Sequence, residues 1–134
     1  MTTIESKHLT IAKSASEVYE FLIQLHHIEL LLPKDKISNF TASADRFSFK
    51  ITGAIPVELQ ISAQNQPNHL QLKTTENNSF PFTLDIHLKD TESGCEAYQI
   101  CNADINTFMK MMIEKPLAAL FDYMVDRLQK VHEA

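Results

Sequence analysis

At 134 residues and 15.3 kDa the chain has room for one domain, residues 1–134, and none for a cofactor module beside a substrate module. Its 44% hydrophobic and 22% charged residues make it too apolar for disorder. Twelve Lys and Arg against 17 Asp and Glu leave a net charge of −5, and no stretch gathers the cations needed to follow a phosphate backbone, so nucleic acid drops out as a partner.

The N-terminal MTTIESKHLTIAK carries no apolar leader. The longest apolar run, Ile28 to Leu32 interrupted by Glu29, is far too short to cross a bilayer, so no integral membrane segment and a cytoplasmic location are expected. Residues 3–11 read as a first strand. Ser14 and Glu17 form an S-x-x-E capping box, in which each side chain satisfies the other residue's free backbone N–H, and so mark a helix start. Val18, Phe21, Leu22 and Leu25 continue that helix on one stripe, and a second short turn from His27 to Leu32 ends at Pro33.

Segments of alternating polarity follow, the signature of strands with one wet face. Phe47, Phe49 and Ile51 oppose Arg46, Ser48 and Lys50; Val57, Leu59 and Ile61 oppose Glu58 and Gln60. Leu70 and Leu72 then oppose Gln71 and Lys73, and Phe82, Leu84, Ile86 and Leu88 oppose Thr83, Asp85, His87 and Lys89. Turn chemistry stands at Ala44-Asp45, Thr52-Gly53, Gln66-Pro67-Asn68, Asn77-Asn78-Ser79 and Glu92-Ser93-Gly94, and connections this short make neighbouring strands antiparallel. Over 95–104, burying Glu96 and Asp104 would be costly, which turns the small row Cys95, Ala97, Gln99, Cys101 and Ala103 inward and leaves Tyr98 and Ile100 outside. Two thiols six residues apart on one strand lie about 20 Å from each other, too far for a disulfide. From Ile105 to about His132 the period becomes helical, with Ile113, Leu117, Leu120, Met124, Leu128 and Val131 on one stripe, Phe121 and Val125 widening it, and a kink expected at Pro116.

The order is one strand, two short helices, six antiparallel strands and one long amphipathic helix: an α+β layer structure in which a seven-stranded antiparallel sheet wraps the C-terminal helix. That order, with SASEVYEFL at the helix start, FSFKITG in a strand and ADINTFMKMMIEKPLAALFDYMVDRL at the end, resembles the START-related, birch-pollen-allergen-like helix-grip superfamily (SRPBCC) over essentially the whole chain. The resemblance implies a cavity between sheet and helix for lipids, isoprenoids, polyketides or similar apolar molecules. It implies no single activity, since members include carriers, cyclases and chaperone-activating domains.

Candidate lining residues follow from the inward rows: Phe47, Phe49, Leu59, Ile61, Leu72, Phe82, Leu84 and Ile86 from the sheet, closed by Met109, Met112, Ile113, Pro116, Leu120 and Met124 from the helix. Methionines at 109, 111, 112 and 124 suit a pocket that repacks around its ligand, and equally a solid core. Gln99 is the inward polar group able to donate to and accept from a ligand oxygen. The clear inward rows contain no carboxylate or histidine, so no catalytic residue is assigned, although Asp35 or Glu114 could lean into an entrance. No cofactor and no metal are expected: His26 and His27 point about 100° apart on a helix, and the pairs Glu17/Glu20 and Asp122/Asp126 read as solvated faces. The leading expectation is non-catalytic binding or transport of a hydrophobic small molecule. The rivals are a co-chaperone-like module docking a protein through Tyr98 and Ile100, and a polyketide cyclase or isomerase.

Overall fold

A computed structural model describes residues 1–51, 56–76, 78 and 80–133. The Thr52-Gly53 turn, and Asn77 and Ser79 of the Asn77-Asn78-Ser79 turn, lie outside the described residues. Strands β1 (Thr2–Glu5) and β2 (Leu9–Ile11) precede helix α1 (Ala15–Ile23) and a 3-10 helix (Leu25–Leu31). Strands β3 (Ile37–Ala42), β4 (Arg46–Ile51), β5 (Pro56–Asn65), β6 (His69–Thr74), β7 (Phe82–Thr91) and β8 (Gly94–Ala103) lead to the long helix α2 (Thr107–Val131). All pairings are antiparallel, in the order β1-β8-β7-β6-β5-β4-β3, with β2 also on β8.

The first strand is therefore split, where a continuous one over 3–11 is expected. Ser6 breaks it: its N–H donates to the Gln99 carbonyl at 2.8 Å, while its Oγ takes the place of a backbone carbonyl and accepts from the Gln99 N–H at 2.8 Å. The ladder thus stays satisfied while the chain turns between β1 and β2. Counted with that strand as one, the sheet has the seven expected strands.

Ser14 caps α1, accepting from the Glu17 N–H at 3.2 Å. Ala15, Val18, Tyr19 and Leu22 face the core, whereas Phe21 is only half-buried. On β8 the row Cys95, Ala97, Gln99, Cys101 and Ala103 is buried and the Tyr98 and Ile100 row is half-exposed, as the cost of burying carboxylates requires. The inward rows meet in register across the sheet: Ile61, Leu72, Leu84, Cys101 and Ile4 form one line, and Leu70, Ile86 and Gln99 the next.

Helix α2 runs unbroken through Pro116. Its C-terminal half is pinned: Asp122 accepts from the Lys7 N–H at 2.8 Å, Asp126 pairs with the Lys7 ammonium at 2.6 Å, and Gln129 donates to the Thr10 carbonyl at 2.9 Å. Asp122 and Asp126 therefore clasp Lys7, in the link between β1 and β2, instead of forming a merely solvated face. Leu117, Phe121, Met124, Val125 and Leu128 are buried beneath this half. The first turns differ. Phe108, Met111 and Met112 are 71%, 80% and 61% exposed, and among the described residues 107–116 form no hydrogen bond or ion pair with the sheet.

A candidate ligand cleft beside the C-terminal helix

The space between the concave sheet and α2 is largely filled. Phe47, Phe49, Val57, Leu59, Phe82 and Leu84 from the sheet meet Leu117, Leu120, Phe121 and Met124 from the helix around a hollow of about 20 Å³. That is room for about one water. The expected wall is thus present in Phe47, Phe49, Leu59, Phe82, Leu84, Leu120 and Met124, but their side chains occupy most of the volume they enclose.

A larger space opens at the side. Pro33, Asp35, Lys36 and Ile37, Ile51 at the end of β4, and Pro116, Ala119, Leu120 and Tyr123 on α2 line a cleft of about 400 Å³. This lies within the size range of small-molecule sites. The cleft lies where the loop after the 3-10 helix, the start of β3 and the end of β4 meet the middle of α2. Leu120 lines both the cleft and the inner hollow.

The remaining sequence candidates fall elsewhere. Leu72 and Ile86 are fully buried in the core beside the hollow, Ile61 is half-buried on the same line of the sheet, and Met109 and Ile113 are half-buried on α2. Pro116 is exposed and forms part of the outer cleft. Met112 does not close the hollow: it is exposed, while Met109 and Ile113 on the first turns of α2 pack only partly against the core and full burial begins at Leu117. Ile37, Ala119 and Tyr123 are cleft residues that the pattern did not single out. The spacing 116, 119, 120, 123 was the available signal for the helical side.

Gln99 is 1% exposed, and both its amide nitrogen and its amide oxygen lack a hydrogen-bond partner; the Tyr19 hydroxyl is buried and unpartnered too. An unsatisfied buried polar group costs about 1–3 kcal/mol. Such groups are few in native proteins, and each asks for a cause. Burial, aided by Glu20, pushes the Tyr19 phenol above its ordinary range. The thiols are poor nucleophile candidates: burial first, then Asp90 and Asp85 respectively, pushes Cys95 up to about 11 and Cys101 up to about 12. Among the described residues no group of three His, Cys, Asp or Glu side chains is placed to hold a metal ion, and no helix is long and apolar enough to cross a membrane.

No family model and no curated protein matches the chain. Solved structures do. A Chromobacterium violaceum protein aligns over 100% of this chain and 99% of its own at TM-score 0.77 and 10% identity. Norcoclaurine synthase from Thalictrum flavum, solved in complex with dopamine and hydroxybenzaldehyde, aligns over 99% of this chain and 88% of its own at TM-score 0.73 and 14% identity. The Aha1 dimer from Colwellia psychrerythraea aligns over 96% and 97% at TM-score 0.66 and 15% identity. At such identities the likeness is one of fold. The chain has the helix-grip-like architecture, an antiparallel sheet holding a long C-terminal helix.

Proposed function

We propose that this chain is an SRPBCC-type binder or carrier that holds an apolar small molecule, of lipid, isoprenoid or polyketide type, without transforming it. The observation that carries the reading is the cleft of about 400 Å³ walled by Ile37, Ile51, Pro116, Ala119 and Leu120. A ligand seated there gains about 25 cal/mol for each Å² of apolar surface it removes from water. Asp35, Lys36 and Tyr123 supply a polar rim, which orients the molecule more than it holds it. Leu120 is the threshold: turned aside, it joins the cleft to the inner hollow and lets the ligand displace side chains of the core. A structural neighbour solved with small aromatic molecules bound supports the use of this architecture as a receptacle.

The test is uptake of a fluorescent fatty-acid probe. Leu120→Arg and Ile51→Arg each place a charge against the apolar wall and are expected to weaken uptake at least tenfold, while Lys89→Ala on the outer face of β7 leaves it unchanged. Equal uptake by all three variants, with circular dichroism showing each folded, would overturn the reading.

A further inference from the structure

Resting on the reading just given, we infer that Gln99 is the polar end of the ligand site, so that the molecule received is an apolar one carrying a hydrogen-bonding oxygen, a ketone, ester or alcohol, in preference to a plain hydrocarbon. The side chain faces inward from the middle of β8, between Ala97 and Cys101 on its own strand and beside Ile86 on β7. Its surroundings are those of a hydrocarbon core. A primary amide there can make four hydrogen bonds and makes none.

The backbone does not require it. The Gln99 N–H and carbonyl are both satisfied by Ser6, each at 2.8 Å. The side chain caps no helix and bridges no strand, and leucine or methionine would fill the same volume without an orphaned group. What the amide supplies is a buried donor and a buried acceptor that no described group uses. Leu84 pairs with Cys101, one step along the face from the Ile86–Gln99 pair, and Leu84 lines the inner hollow. Diagonal cross-strand neighbours of this kind are within reach of a long side chain.

The path this inference requires runs from the cleft past Leu120, along Phe47, Phe49 and Phe82, to Leu84, and from Leu84 to its diagonal neighbour Gln99. The unpinned first turns of α2 are the part of the wall free to give way, because the clasp by Asp122, Asp126 and Gln129 lies in the other half. A ligand oxygen at the end of that path satisfies the Gln99 N–H donors, and a ligand hydroxyl its carbonyl.

Native mass spectrometry of the intact protein with a long-chain methyl ketone and with the alkane of the same length tests this. The parent is expected to take up the ketone at least tenfold more tightly. In Gln99→Leu the preference disappears while alkane uptake is kept or improved, and the urea midpoint stays equal or rises as the orphaned amide is removed. Gln99→Met serves where the branched side chain disturbs folding. A parent that takes up both molecules without preference, or a preference that survives in a folded Leu or Met variant, overturns this inference alone. A parent that takes up neither overturns the binder reading beneath it.

Discussion

Gly94 opens β8 with φ of +151°, a conformation that side-chain-bearing residues rarely adopt. A Cβ at that position would stand 1.8 Å from the Ile11 carbonyl oxygen and 3.0 Å from the Lys13 nitrogen, both backbone atoms that no rotamer change can move aside. The close approach is what lets β2 end against the β7–β8 hairpin and hand the chain to α1, whose first N–H, at Ala15, is accepted by Asp90 at 2.8 Å. Gly94→Ala forces either the hairpin or the β2–α1 passage to shift. It is expected to destabilise the fold by roughly 3 kcal/mol or more, lowering the thermal midpoint on the order of 10 °C. A melting curve unchanged from the parent's would show that the hairpin relaxes without cost.

Across the outer face, strands are tied by rings. His8 stacks on Tyr98 of β8 at 3.9 Å, Tyr98 on His87 of β7 at 5.0 Å, and His87 on His69 of β6 at 4.9 Å. Asp85 lies 2.6 Å from His69, and Glu5 and Glu96 lie 2.6 and 3.6 Å from His8. Burial first, and then His69, holds His87 below its ordinary value of 6.5, against the opposing pull of Asp85 and Glu5. The hydrogen bond to Glu5 raises His8, with Glu96 adding to it. The two groups act in opposite senses. Between the lowered value of His87 and 6.5 the unfolded chain binds more protons at that residue, so its contribution falls as pH drops; the contribution of His8 is full below 6.5 and fades as pH rises through its raised value. His87→Gln is therefore expected to flatten the loss of stability on acidification and His8→Gln to steepen it, read as urea midpoints at several pH values from about 5 to 8. Parallel profiles for both variants and the parent would remove these two residues from the pH response. The strands bearing this ladder were legible because β8 keeps period 2 over its whole length and β7 keeps it from Phe82 to Lys89. β3 was not. Asn39 sits at φ 57°, and two residues of β3, Asn39 and Phe40, oppose the single Phe49 of β4 there, so the extra residue returns Phe40 to the face of Ile37 and erases the alternation. The site divides the same way. Phe47, Leu84 and Met124 belong to core rows with a readable period, whereas the cleft is made where a loop at Pro33, the end of β4 and the flank of α2 meet, and no local period encodes that meeting. Met112 shows the complementary failure, since the sequence pattern has it closing the cavity from the helix, whereas it is 61% exposed.

At the scale of the whole molecule, β8 joins the parts: it pairs with β1, β2 and β7, and its inward row lies under the helices. Cys95 and Cys101 stand on that row at opposite ends of the strand, fully buried and unpaired. Held protonated by burial, they become reactive only when the structure around them opens. If residues 1–134 fold as one cooperative domain, both thiols are released by the same event that melts α2, because each is covered by elements that β8 itself organises. Two single-thiol variants, Cys95→Ala and Cys101→Ala, are therefore expected to be labelled by a thiol reagent at the same urea concentration, coincident with loss of the helical circular dichroism. Both thiols are fully buried in the folded protein, so labelling below that concentration is expected to be negligible for both. Labelling of one thiol well before the other would mean that β8 frays from one end, and that the clasp of Lys7 on Asp122 and Asp126 does not couple the helix to the sheet.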